Sequence, residues 1–105
     1  VLAGYSVVGP PPPGAHRFGD LCTGHGCWPP RPNIQASMNV FVNDIGSHRE
    51  TDDWAVHSCP PPHGGNLAHG SPTVFVNDLE KGRIGDPVDC GSFCATGSAD
   101  VFVGP

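Results

Sequence analysis

Three short apolar runs recur along the chain in the same polar frame. Ser37-Met38-Asn39-Val40-Phe41-Val42-Asn43-Asp44 returns as Ser71-Pro72-Thr73-Val74-Phe75-Val76-Asn77-Asp78 and again as Ser98-Ala99-Asp100-Val101-Phe102-Val103. β-Branched and aromatic residues bounded by Ser before and Asn-Asp after predict a short strand running into a tight turn. Asn and Asp tolerate left-handed backbone angles and can hydrogen-bond the turn themselves. The return strand is expected at His48-Arg49-Glu50 and Gly82-Arg83-Ile84, making each copy a hairpin. Strand alternation places Val40 and Val42 on one face and Phe41 on the other, with the same split in each copy.

The repeat extends past its apolar centre. Arg49 and Asp52 recur 34 positions on as Arg83 and Asp86, and Arg17-Phe18-Gly19-Asp20 opens the chain as a truncated copy. On an extended strand Arg49 and Asp52 would point to opposite faces. The expected partner of each Arg is therefore the Asp or backbone of the next copy rather than its own Asp. After the Asp, equivalent slots hold His25, His57 and Cys90, three good zinc ligands. Helical periodicity is absent, and Gly or Pro interrupts nearly every ten residues.

With 105 residues the chain makes one domain, too small to bury a generous core. Fifteen glycines and 13 prolines would suggest disorder were they not at matching places in a repeat. The reading is all-β: a small cone of three pseudo-threefold hairpins with few or no helices, packed together because a lone hairpin is marginal. Residues 1–14 form a leader, an arm or packed edge with polyproline II character at Pro10 to Pro13, and 15–105 form the repeat domain. The net charge of −5, with five scattered Lys and Arg, gives no footprint for nucleic acid or an anionic membrane. No apolar run approaches a membrane helix, and Val1-Leu2-Ala3-Gly4-Tyr5 lacks the features of a signal peptide.

In order and spacing, several elements resemble the PAAR-repeat proteins, which cap the central spike of contractile injection machines such as myophage tails and type VI secretion systems. These are Gly19-Asp20 with Thr23-Gly24-His25, Ser37 to Asn43, His57 and His63, Gly70-Ser71 to Asn77, Arg83 to Asp86, Cys90-Gly91, and Gly97-Ser98 to Gly104. The name-giving Pro-Ala-Ala-Arg element has drifted to Gly14-Ala15-His16-Arg17, Gly46-Ser47-His48-Arg49 and Glu80-Lys81-Gly82-Arg83, and the usual Asn-Gly turn is Asn-Asp. The resemblance implies a structural zinc near the apex held by His25, His57, His63 and Cys90. Three of these agree with the repeat register, and His63 comes from the loop after His57. Four nitrogen and sulfur ligands close a tetrahedral site.

The other cysteines leave alternatives open. Cys27, Cys59 and Cys94 form a near-symmetric trio that could pack, pair as disulfides or bind metal, and Cys22 has no counterpart. His16, His48 and His69 are read as surface or packing residues. Trp28 and Trp54 are read as core or as shielding for the metal. Pro29-Pro30 and Pro60-Pro61-Pro62 stiffen the first two ligand loops. No nucleophile elbow or phosphate loop occurs, so an enzyme is not expected.

The resemblance implies a mechanical role: one chain caps a trimeric β-helical spike protein, matching its symmetry, covering its strand edges and sharpening it for envelope piercing. The cap is a monomer by itself, makes transient contact with the target envelope, is cytoplasmic before assembly and then sits on a virion baseplate or extracellular injection particle. Contacts are expected from the base-facing ends of the repeats, with Tyr5, Val7 and Val8. Because the chain stops where the third repeat is completed, a dedicated tip is preferred to a toxin carrier, and a phage-type particle to a secretion system. The alternatives are an adaptor that docks effectors onto a type VI spike and a small zinc hydrolase with an open metal position.

Overall fold

The computed structural model describes residues 12–59 and 61–104. The expected leader contacts at Tyr5, Val7 and Val8 lie outside the described residues. Among the described residues there is no helix, and six strands pair into three antiparallel two-stranded sheets: β1 (Phe41–Val42) with β2 (Ile45–Gly46), β3 (Asp53–His57) with β4 (His63–Asn66), and β5 (Phe75–Val76) with β6 (Leu79–Glu80). The all-β reading holds.

The first hairpin is built by its turn. Asn43 and Asp44 both have positive φ, 53° and 63°, and Asn77 and Asp78 repeat this at 53° and 65°. Two successive left-handed residues make the two-residue turn whose twist matches that of the flanking strands. The return strand therefore begins immediately, with Val42 opposite Ile45 and Val76 opposite Leu79. This corrects the expected return strand at His48-Arg49-Glu50 and Gly82-Arg83-Ile84. Those stretches instead cross to neighbouring copies, through bridges of Arg17 with Ser47, Arg49 with Lys81, and Ala15 with Arg83. Each run is launched by its serine: Ser37 Oγ accepts the Val40 N–H at 3.0 Å, Ser71 Oγ that of Val74 at 3.0 Å, and Ser98 Oγ that of Val101 at 2.9 Å.

The third hairpin is closed by the beginning of the chain. Phe102 bridges Gly14, the Val103 N–H donates to Pro13 at 2.9 Å, and the Ala15 N–H donates to the Val101 carbonyl at 2.9 Å. The last bond repeats Ser47 to Val40 and Lys81 to Val74, both 2.9 Å. Pro13 to Ala15 thus stand where β2 and β6 stand in the other copies. Three hairpins arise from two intact copies plus one assembled from the chain's two ends.

Around the axis the copies interlock through a closed ring of backbone bonds. The His16 N–H donates to Gly82, Gly82 to His48, and His48 to His16, at 3.0, 2.9 and 3.2 Å. Strand alternation then sorts the side chains. Val42, Val76 and Val103 are buried, while Phe41, Phe75 and Phe102 are 58, 56 and 55% exposed. Val40, Val74 and Val101 remain partly exposed, while of the inner valines Val42 and Val103 join the small cluster around Ala15. A second core gathers Cys22, Trp54, Leu67, Val88 and Cys94 beneath the loops.

The Arg-x-x-Asp element is a tight turn, not an extended strand. Asp20, Asp52 and Asp86 donate their N–H groups back to Arg17, Arg49 and Arg83 at 3.0 to 3.1 Å. Positive φ at the third residue (Gly19 83°, Thr51 73°, Gly85 93°) marks each as a type II turn. The turn folds each Arg onto its own Asp, correcting the expectation that the two could not pair. Arg49 Nε and Nη2 bind Asp52 at 2.9 and 3.0 Å, and the same forked contact holds Arg17 to Asp20 and Arg83 to Asp86. Each carboxylate also takes its own Arg backbone N–H, at 2.8 to 2.9 Å. The expected reach to the next copy exists as well: Arg17 Nη1 donates to Asn43, Arg49 Nη1 to Asn77, and Arg83 Nη1 to the Gly104 carbonyl.

Candidate metal centre

Beyond these turns the three copies diverge into loops of unequal length, and the loops carry the candidate ligands. The second loop is itself a hairpin, β3 to β4, in which His57 and His63 are direct cross-strand partners. His63 is therefore the first residue of a strand rather than a loop residue. Directly opposed residues in an antiparallel pair lie close enough for both rings to reach one point. The first loop turns back at Gly24 and Gly26, both with positive φ, and exchanges two backbone bonds between His25 and Trp28 at 2.9 and 2.8 Å. This places His25 over the second hairpin. In the third loop Gly91, φ 102°, turns the chain directly after Cys90.

One donor atom from each of His25, His57, His63 and Cys90 lies within 4.8 Å of all the others. His25 Nε2 and His63 Nε2 are 3.1 Å apart, and Cys90 Sγ is 3.7 Å from His57 Nε2. Tetrahedral zinc, with bonds of about 2.05 Å to nitrogen and 2.3 Å to sulfur, would hold such pairs roughly 3.3 and 3.6 Å apart. The His57 ring is oriented from behind: its Nδ1 is 2.7 Å from the Pro29 carbonyl. A carbonyl only accepts, so Nδ1 carries the proton and the Nε2 lone pair faces the cluster.

Electrostatics in the metal-free cluster suit a cation. Desolvation, then the neighbouring His63 and His57, hold His25 below the usual imidazole range. Burial pushes the Cys90 thiol up. A His25 ring held back from protonation is a ready donor, and a bound cation would reverse the penalty on the thiolate. Trp28 walls the cluster, stacked on His25 at 4.8 Å and tilted against His63 at 4.9 Å. Its indole N–H donates to the carbonyls of Cys59 and Pro61, at 2.9 and 3.1 Å. The two tryptophans, read alike in the sequence, divide: Trp28 lies against the cluster and Trp54 in the core.

The cysteine trio does not act as a unit. Cys27 and Cys59, each two residues after a candidate ligand, form a disulfide that ties the first loop to the second. Cys94 instead packs in the core as a free thiol, its backbone paired with that of Cys22. The near-equal spacing from each Asp hid this split, because the third loop is shorter and turns back sooner. His16 and His48 are wholly buried packing residues, with Nδ1 2.7 Å from the carbonyls of Thr96 and Gln35. Lys81 went unremarked in the sequence: its Nζ is buried and reaches the carbonyls of His16, Gly82 and His48. A lone Lys where the other copies have Ala15 and Ser47 was the available signal.

The fold and donor set define a small pseudo-threefold hairpin-repeat domain with a four-donor His/Cys cluster that could hold a metal ion. Residues 23–96 match the PAAR motif, and the chain belongs to that family. It is similar to two proteins of Pseudomonas aeruginosa, the NAD(P)(+) glycohydrolase toxin Tse6 and the (p)ppApp synthetase toxin Tas1. Each is 32% identical over 78 residues, covering 68% of this chain and 18% of the relative. The chain thus spans under a fifth of the length of these curated relatives.

Proposed function

We propose that this domain is the tip of the central spike of a contractile injection machine, one chain capping a trimeric β-helical spike protein. The observation that carries the reading is the trio Phe41, Phe75 and Phe102, repeated on three equivalent hairpins with nearly equal exposure. Three like apolar groups around a pseudo-threefold axis suit a surface with true threefold symmetry, and one chain then satisfies three subunits. Pairing the hairpins against the spike's open strand ends would remove those edges from solvent.

At the loops, Zn2+ held by His25, His57, His63 and Cys90 would crosslink all three copies. Four protein donors fill a tetrahedral shell and leave no position for a hydrolytic water, which favours a structural ion over a zinc hydrolase. Binding energy of this kind is folding energy, an offset for the small core. The cap would be cytoplasmic until assembly and would then travel with the extracellular part of the particle, meeting the target envelope first.

A second reading has its own support. Both relatives are named as toxins, and this chain matches less than a fifth of each. The same cap in a type VI secretion spike would then carry or recruit an effector, the chemistry lying outside the fold described here.

The test is to mix the chain with a trimeric β-helical spike protein and measure stoichiometry and mass. One chain per trimer, lost in a Phe41→Glu, Phe75→Glu variant that still melts cooperatively, supports the cap. Three chains per trimer, or no complex, overturns it.

A further inference from the structure

On the flank of the fold, away from the His/Cys cluster in sequence and in its ligands, one donor atom each from Glu50, His69 and Glu80 lies within 4.8 Å of the others. We propose that these three side chains form a second binding site, for a first-row divalent cation.

The pseudo-symmetry shows that the repeat does not require this set. The Glu50 N–H donates to the Glu80 carbonyl at 2.9 Å, and the equivalent bonds run from Phe18 to Gly46 at 2.8 Å and from Ile84 to Gly14 at 2.9 Å. His69, two residues before Ser71, corresponds to Gln35 before Ser37 and Thr96 before Ser98. Two of the three grooves thus present a large apolar side chain over a glycine, beside a neutral polar residue. The third presents two carboxylates and an imidazole.

Backbone geometry sharpens the contrast. A Cβ at Gly46 would stand 2.7 Å from the Ser37 carbonyl oxygen, and one at Gly14 would strike that of Ser98. Glu80 nevertheless occupies this slot, so its groove has a side chain where the fold elsewhere excludes one.

The carboxylates are also positioned for a ligand. Glu80 Oε1 accepts the Gly70 N–H at 2.9 Å, and Glu50 Oε1 accepts the Glu80 N–H at 3.0 Å. Each carboxylate is thereby fixed through one oxygen, with the other free to coordinate. Among the described residues neither Glu forms an ion pair with Lys or Arg, although all three Arg-x-x-Asp turns do. Two carboxylates held within 4.8 Å without a cation repel each other, and a divalent ion relieves that repulsion. The imidazole favours a first-row transition ion over Mg2+ or Ca2+, and three donors leave positions for water or a partner's ligand.

The test is calorimetric titration of the metal-free chain with Zn2+. Wild type should take up two equivalents, the weaker of which disappears or weakens roughly tenfold or more in Glu50→Gln, Glu80→Gln and His69→Ala, each checked by thermal melting. His69 is exposed, so its loss does not disturb packing. The tighter equivalent should be unchanged in these variants, which separates this site from the His/Cys cluster. No equivalent that responds to His69→Ala and Glu50→Gln, whether wild type takes up one or two, overturns the proposal, whereas a single equivalent abolished by these variants supports it and counts against the His/Cys cluster instead.

Discussion

The ammonium of Lys81 donates to the His16 carbonyl at 2.6 Å and also reaches the carbonyls of Gly82 and His48, at 2.9 and 3.4 Å. These three carbonyls are the acceptors of the ring of backbone bonds that joins the copies. A group with three N–H donors thus sits where three equivalent acceptors converge, and one lysine serves all three repeats.

Lys81 is nearly inaccessible, and desolvation lowers its pKa to about 8 from 10.5. A base whose folded pKa is depressed binds fewer protons folded than unfolded between those values. Its contribution to stability therefore rises from about pH 8 to 10.5. Cys94 works the other way, because burial raises its thiol pKa and favours the unfolded state as alkali ionises it there. Subtracting the stability curve of Lys81→Met from that of wild type isolates the lysine, and the difference should shift in favour of wild type across this window. Near pH 7 the Met variant should be at least as stable as wild type, since a buried charge gives way to an apolar chain of similar length. Chemical denaturation at stepped pH measures both.

Thr51 is a β-branched residue at φ 73°, in a turn position filled by Gly19 and Gly85 in the other copies. The left-handed conformation costs a non-glycine residue about 1–2 kcal/mol, partly recovered by its smaller entropy loss on folding. Thr51→Gly should stabilise by about 0.5–1 kcal/mol, a rise of a few degrees in melting temperature. Gly85→Thr should lose a similar amount, and a pair of thermal melts decides both.

Much of this was legible because the sequence writes the same local instructions several times. Ser-x-x-Val-Phe-Val-Asn-Asp specified strand and turn, and its register brought His25, His57 and Cys90 toward one place. What escaped was long-range or cyclic. Pro13 to Ala15 complete the third hairpin only because they meet Val101 to Val103 from far along the chain, and Arg49 pairs with Asp52 only because a turn replaces the extended backbone assumed for it. The Cys27–Cys59 bond depends on how loops of different length lie, which spacing along the chain does not encode. Nothing local in the sequence decides between surface and packing for His16 and His48, whereas in the fold each is buried with its imidazole against a backbone carbonyl.

Those two imidazoles predict acid sensitivity. Desolvation lowers His16 to about 4 and His48 to about 3, while the unfolded chain titrates near 6.5. Below pH 6.5 the unfolded state takes up protons that the folded state refuses, so stability falls steadily toward pH 4. Asp20 adds a loss only further down, because the desolvation that would raise its carboxyl is outweighed by hydrogen bonds from Arg17 and Thr96, which together hold it below the ordinary value of 3.8. His48→Leu should flatten the slope between pH 6.5 and 4 by about one proton relative to wild type, read from urea midpoints in buffers of equal ionic strength. An unchanged slope would show that His48 protonates in the folded state.

The His/Cys cluster gives the last expectation. If one ion is bound by all four donors, removing any ligand should act on metal content and on stability together, because the ion ties all three loops to one point and its binding energy is folding energy. His57→Ala and Cys90→Ser should each lose the tighter zinc equivalent and lower the melting temperature by on the order of 10 °C, about 2 kcal/mol for a domain of this size. A chelator should reproduce that drop in wild type and add little to either variant. Cys27→Ser provides the control, since it opens the disulfide but touches no donor: it should lower stability while keeping the tighter zinc equivalent. Zinc analysis by mass spectrometry alongside the melts distinguishes the two, and a His57→Ala protein that retains the tighter zinc equivalent would rule out the four-donor site.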